Sequence, residues 1–231
     1  MHATSQVSRF ILFDLDGTLI DGVDDLLAAI NMVLADAGLA PLERPALEAM
    51  LGDGMRVLTQ RAFAARNRQL STADSELAFA TFLQAYQATR YARTRLYDGV
   101  ADTLRHLHAE GWHIGLASNK LTTPCNEILT RLGIRDLFAV VAGGDATTVK
   151  KPAAGHLLYA LTLMGYQPRQ ADLAVMVGDH ANDVDAARAA GIAAIAVALE
   201  VDERRARSLG ADAVVSDFST LPAVLAALQQ A

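Results

Sequence analysis

Apolar and polar positions divide the chain into two regimes. Residues 10–13, 113–118, 139–142 and 173–177 form short, mostly apolar runs, each followed by a polar or glycine-rich cluster. Such runs, bounded by turn residues, predict interior strands of a parallel sheet. Residues 24–37 instead carry Leu26, Leu27, Ile30, Val33 and Leu34 at helical spacing, with Gly38 just past the end, which predicts a helix. Further helices are expected over residues 45–51, 55–66 and 72–91, with Ser71 capping the last, and Thr123-Pro124 reads as the cap and first position of another. No strand is expected from Leu19 to about Arg95. A strand, an all-helical block and then alternating strands and helices predict an α/β core with a helical lid inserted after its first strand.

Composition sets the bounds. The chain has 231 residues, 52% of them apolar, enough for one α/β core plus a small insertion. Its first eight residues lack the apolar stretch of a signal peptide. The longest apolar run, residues 192–199, falls short of the ~20 residues that span a bilayer. A cytoplasmic enzyme with no membrane partner is expected. The net charge of −6 argues against a nucleic-acid partner. Cys125 is the one cysteine, so no internal disulfide forms, and a small buried hydrophobe is expected there. Nothing in the pattern sets an oligomeric state.

Chemistry is concentrated where the apolar runs stop. The first run ends at Asp14-Leu15-Asp16-Gly17-Thr18. In open α/β sheets ligands collect beyond the carboxyl ends of the strands. A turn at Gly17 would aim the Asp14 carboxylate, and either the carboxylate or the backbone carbonyl of Asp16, at one small site. Two carboxylates about 4 Å apart repel by roughly 4 kcal/mol at an effective dielectric near 20. A bound cation or a shared proton would remove that cost; solvation of both acids in an Asx-type turn is the simpler alternative. Oxygen ligands without clustered His or Cys favour a hard ion such as magnesium. A calcium loop starting at Asp14 is excluded by Leu19 and Asp25 at its sixth and twelfth positions, and no Walker phosphate loop occurs.

The later runs end in Ser118-Asn119-Lys120, in Gly143-Gly144-Asp145 leading to Lys150-Lys151-Pro152, and in Gly178-Asp179-His180-Ala181-Asn182-Asp183. Ser118 offers a hydroxyl to a phosphate oxygen, and Asp179 and Asp183 are spaced by one helical turn. Alone, each cluster reads as a helix cap, a solvated charge or an acid-rich helix start. The chain has seventeen arginines and only three lysines, and all three lysines lie in these clusters. Residues 53–95 hold seven arginines and an excess of four positive charges, which would suit a small anionic substrate under the lid, although solvated helix faces account for most of them. Arg56, beside the Gly52-Asp53-Gly54 loop, is the candidate for substrate contact.

Taken in order, these clusters resemble the four motifs of the haloacid dehalogenase superfamily of phosphohydrolases, over nearly the whole chain. Asp14 to Thr18 is similar to the first motif, Ser118-Asn119 to the second, Lys151-Pro152 to the third and Gly178-Asp179 to Asp183 to the fourth. Leu51-Gly52-Asp53-Gly54 and Gly143-Gly144-Asp145 resemble the phosphoglycolate phosphatase branch. Asp53 stands where that branch commonly has asparagine, and His180 where a small hydroxyl residue is common. The resemblance implies a Rossmann-like parallel-sheet core over residues 1–18 and 96–231 and an all-helical cap over residues 19–95. It further implies a magnesium-dependent phosphomonoester hydrolase acting on a small phosphorylated anion. Asp14 would be the nucleophile and Asp16 the acid and base. Ser118, Asn119 and Lys151 would hold the phosphoryl oxygens. Asp14, the Asp16 carbonyl and Asp179 would hold the metal, with Asp183 bound directly or through water. Lys120 and Lys150 are read as neighbours of functional residues. A sugar phosphomutase shares nucleophile and metal and is the alternative. A metal-independent dehalogenase would need neither Asp16 nor the acids at 179 and 183, and a non-catalytic relative would be expected to lack a site residue.

Overall fold

The computed structural model describes residues 8–168, 172–199 and 203–229; residues 1–7, 169–171, 200–202 and 230–231 of the expected core lie outside them. In chain order the elements are β1 (Arg9–Phe13), β2 (Ile20–Asp21), α1 (Val23–Asp36), α2 (Arg44–Glu48), α3 (Met55–Ala64), α4 (Thr72–Ala88), β3 (Arg95–Leu96), α5 (Val100–Ala109), β4 (His113–Ala117), α6 (Thr122–Arg131), β5 (Val140–Ala142), α7 (Ala154–Leu163), β6 (Leu173–Gly178), α8 (Ala181–Ala190), β7 (Ala193–Val197), α9 (Glu203–Ser208), β8 (Ala213–Val215) and α10 (Leu221–Leu228). Among the described residues no helix is long and apolar enough to cross a membrane.

Six strands form a parallel sheet in the order β5-β4-β1-β6-β7-β8. The apolar run of β1 is continuous because both its faces are covered. Ile11 and Phe13 belong to one core cluster with Leu104, Ile128 and Leu225, and Phe10 and Leu12 to another with Leu157, Leu161 and Val184. Alternate side chains therefore enter opposite layers of helices. β1 lies between β4 and β6 with Phe13 level with both Leu116 and Val177. This register sets the residues that follow the three strands side by side. The chain moves outward from β1 to β4 and β5, then returns to β6 on the other side, so the strand order reverses at β1, where α/β sheets bind ligands.

α1 to α4 form the inserted helical block, packed through Leu26, Ile30, Phe82 and Tyr86, all 2% exposed or less. Ser71 caps α4 as expected, accepting from the Asp74 N–H. α4 ends at Ala88, short of the expected residue 91, where Arg90 and Tyr91 take left-handed backbone angles. The expectation of no strand between residues 19 and 95 needs a correction. Ile20 pairs with Leu96 and Asp21 with Arg95 in a short antiparallel ribbon, where the chain leaves the core and returns to it. Two-residue strands carry no periodicity to read. Asp25, at 2% exposure, ties the same junction together by accepting from the N–H groups of Arg93 and Thr94 and from the Thr94 hydroxyl. α6 likewise begins two residues earlier than expected, at Thr122 with Leu121 as its cap residue. Asp145 accepts from both the N–H and the hydroxyl of Thr122 at 2.7 and 2.6 Å, so the side chain that satisfies this start comes from a distant loop. Cys125 is buried on α6, as expected.

Replacing Asp25 by alanine leaves three donors at the junction without their acceptor. The expected loss is about 2–4 kcal/mol of folding stability, checked by urea denaturation; a loss within ~0.5 kcal/mol would show that the junction does not depend on this carboxylate.

Candidate active site

Asp14 follows β1, and its N–H continues the ladder by donating to the Val177 carbonyl at 2.9 Å. This fixes the backbone from which the carboxylate projects. The Lys151 ammonium, 2% exposed, donates to Asp14 Oδ1 at 2.8 Å and to Asp183 Oδ1 at 2.6 Å. Burial alone would lower its pKa, but Asp14 and Asp183 outweigh that and hold it raised. The ammonium is therefore a fixed positive charge between two carboxylates. Asp183 also accepts from the His180 N–H through its other oxygen at 3.0 Å, so it caps α8 while holding the lysine. Asp183 is thus a helix-start acid, as its simple reading has it, that also faces the Lys151 ammonium.

Asp179 completes the group. Its Oδ1 accepts from the Thr18 hydroxyl at 2.8 Å, and ligand oxygens of Asp14, Asp179 and Asp183 lie within 4.8 Å of one another. Two glycines make this approach possible. A Cβ at Gly17, where φ is +81°, would stand 2.4 Å from an Asp179 oxygen, and one at Gly178 would stand 2.3 Å from the Asp183 carboxyl group. Burial, with the charges of Asp14 and Asp183, pushes the Asp179 pKa up to about 8 from an ordinary 3.8. Three carboxylates face one ammonium in this cluster. All-oxygen donors with uncompensated negative charge fit a hard dication, and the cluster is able to bind a metal.

Asp16 turns the other way. Its Oδ2 accepts from the Lys120 ammonium at 2.7 Å, and its Oδ1 is buried without a hydrogen-bond partner among the described residues. Lys120 therefore needs a correction: it is a buried ion-pair partner of Asp16, and its reading as a mere neighbour does not stand. Its position in a motif cluster of an arginine-rich chain was the available signal. Lys150 reaches the backbone carbonyl of Asp53 at 2.9 Å. Ser118 is 3% exposed and lines the same cavity as Asp14 and Asp16. The Asn119 side chain donates to the carbonyls of Gly52 and Lys151 at 2.9 and 3.0 Å. It fixes the loop that carries Lys151 and joins it to the helical block.

That loop of the block is held at several points. Asn182 donates to Asp53 Oδ1 at 2.9 Å and to the Gly52 carbonyl at 3.2 Å. Asp53, paired also with Arg61, is held below the usual carboxylate range, chiefly by the Asn182 hydrogen bond. A cavity of about 370 Å³ is lined by Asp14, Asp16, Ser118 and Asp179 and, from the helical block, by Leu26, Met55 and Leu58. Arg56 is not brought there. It pairs with Glu76 and lies over the Phe79 ring at 4.2 Å, and it does not line the cavity. Its helical phase turns it toward α4, which proximity in sequence to the glycine loop does not reveal. Arg95, another of the expected lid cations, pairs with Asp21 at 2.6 Å, and Arg66 binds backbone carbonyls. The excess positive charge of the block is used largely in its own packing.

The architecture and carboxylate cluster define a hydrolase of the haloacid dehalogenase type, and residues 11–197 match the model of the haloacid dehalogenase-like hydrolase family. The chain belongs to that family. Among its relatives, a protein named phosphoglycolate phosphatase from Agrobacterium fabrum is 34% identical, over 95% of this chain and 93% of its own. Another of that name from Chromobacterium violaceum is 38% identical, over 92% of this chain and 94% of its own. A crystal structure described as a predicted phosphoglycolate phosphatase from Haemophilus somnus 129pt superposes with a TM-score of 0.85 at 29% identity, covering 94% of this chain and 98% of that one. The CbbY structure from Rhodobacter sphaeroides, solved with phosphate, has a TM-score of 0.77 at 22% identity, covering 92% and 95%, and shares the fold.

The raised pKa of Asp179 sets a sign. Between about pH 4 and about pH 8 the folded, metal-free protein keeps a proton that the unfolded chain has released, so this group makes stability fall as pH rises through that window. Asp179→Asn removes the effect. Thermal unfolding in chelator should show the variant more stable than the parent at pH 8, with the difference shrinking toward pH 4, and should show magnesium stabilising the parent more. A variant less stable than the parent at pH 8 would contradict the crowding of the carboxylates.

Proposed function

We propose that the protein is a magnesium-dependent phosphomonoester hydrolase that works through an aspartyl-phosphate on Asp14. The observation that carries this reading is the convergence of Asp14, Lys151, Asp179 and Asp183, of which Asp14 and Asp179 line a cavity together with Asp16 and Ser118. An Asp14 oxygen attacks phosphorus, the phosphorus–oxygen ester bond breaks, and Asp16 gives a proton to the departing alkoxide. Asp16 then takes a proton from the water that attacks the aspartyl-phosphate, and inorganic phosphate and free Asp14 result. Lys151 offsets the charge of the nucleophile so that an anionic ester can approach it, and Ser118 donates to a phosphoryl oxygen. Asn119 acts by holding the Lys151 loop. Asp14, the Asp16 carbonyl and Asp179 would hold magnesium, with Asp183 beside them. Magnesium supplies positive charge where the transferring group spreads negative charge over its oxygens.

Residues 19–95 would serve as the cap, closing through Gly52 and Asp53 onto Asn119, Lys150 and Asn182 and excluding stray water. The substrate class is a small phosphorylated metabolite, and the names of the relatives make phosphoglycolate the first candidate.

Phosphate release from phosphoglycolate, sugar phosphates, nucleotides and phosphoamino acids, measured with and without chelator, tests this. Release should require magnesium and return when it is restored. Asp14→Asn should lower release by about 10³-fold or more with the circular dichroism spectrum unchanged. Substantial turnover by that variant would refute the nucleophile, and isomerised sugar phosphate in place of free phosphate would indicate a mutase.

A further inference from the structure

Lys120 is more thoroughly buried than a peripheral cation needs to be. Its side chain is 2% exposed, and its ammonium pairs with Asp16 Oδ2 at 2.7 Å and lies 4.8 Å from the ring centroid of Tyr86. Tyr86 comes from α4 of the helical block, is fully buried, and its hydroxyl has no hydrogen-bond partner among the described residues. The ring therefore serves this lysine as an aromatic wall. That wall is itself braced: the Tyr86 ring packs edge-on against Tyr91 at 5.0 Å, and the Tyr91 hydroxyl donates to Glu127 on α6 of the core. One oxygen of Asp16 is thus held by a buried cation, and the other is buried with no hydrogen-bond partner among the described residues. A Cβ at Gly22 would stand 3.1 Å from Asp16 Oδ1, so no side chain there holds that oxygen. Lys120 is the cation that holds the carboxylate.

We infer that Lys120, backed by Tyr86, is a positioning residue that holds the Asp16 carboxylate at the angle its proton transfers require, so that the helical block acts on the acid and base of the reaction. The inference rests on the phosphatase reading above. Lys120 itself touches neither the nucleophile nor, on this reading, the phosphoryl group, whose charge is met by Lys151 and Ser118. Its loss should therefore be felt where a proton must be moved and little where none is needed. An alkyl phosphate needs a proton from Asp16 as its P–O bond breaks. p-Nitrophenyl phosphate does not, because nitrophenolate departs as a stable anion. Both need Asp16 again when water attacks the aspartyl-phosphate and gives up its proton.

The test is rapid-quench kinetics of the Lys120→Met variant of the full chain with magnesium and each ester. First-turnover cleavage of the alkyl ester should fall by about 100-fold, and that of p-nitrophenyl phosphate by less than about five-fold. The variant should then show a burst of nitrophenolate equal to the enzyme present, followed by slow turnover. Lys120→Arg should recover at least about ten-fold of the loss on the alkyl ester, because it keeps the charge. Equal losses on both esters, or a loss on neither, would overturn the inference. If Lys120→Met does not fold, Lys120→Gln is read with the same thresholds, and failure of both to fold would assign the lysine to holding the fold and overturn its positioning role. Absence of phosphate release from any ester by the parent protein would instead defeat the phosphatase reading itself.

Discussion

Mutual repulsion among Asp14, Asp179 and Asp183 is the constraint around which this molecule is arranged. Carboxylates so close in a partly dry setting are costly, and only Lys151 and the Thr18 hydroxyl among the described side chains offset them. A fold that existed only to be stable would replace such a group by apolar residues. The sequence instead spends glycines at positions 17 and 178 to let the acids approach. Crowding of this kind makes sense as the protein's half of a site completed by a cation and a phosphoryl group.

The sheet makes this arrangement inexpensive in conformational terms. β1, β4 and β6 are adjacent and in register, so the residues after each strand converge without special loops. Asp14, Ser118 and Asp179 directly follow rigid strands and Asp183 lies in the first turn of α8, which locates them better than mobile loops would. Lys151 needs a longer reach. Its loop is secured by Asn119, which also binds the Gly52 carbonyl of the helical block. The Gly52 loop of the block and the loop that carries Lys151 are therefore linked through one amide side chain. Lys120 and Tyr86 provide a second link, to Asp16.

Much of this was legible in the chain. Interior parallel strands are apolar on both faces, so 10–13, 113–118, 139–142 and 173–177 stood out, and the polar clusters after them marked Asp14, Asp16, Ser118, Lys151, Asp179 and Asp183. What escaped depends on contacts between segments remote in sequence. Lys120 looks like any lysine beside a motif until α4 lays Tyr86 over it. Arg56 sits beside the glycine loop in sequence, yet the phase of α3 turns it to Glu76 and Phe79. The β2 and β3 ribbon is too short to show a period, and the start of α6 is fixed by Asp145 from another loop. The motifs marked residues that the fold brings together; three-dimensional packing decided which neighbours they meet.

A crystal grown with magnesium and beryllofluoride, a mimic of a carboxylate-bound phosphoryl group, tests the central claim most directly. The account predicts the fluoride adduct on an Asp14 oxygen, with the metal ligated by Asp14 and Asp179 and the Lys151 ammonium still against Asp14. Metal bound away from these carboxylates, or an adduct on any other residue, would contradict it.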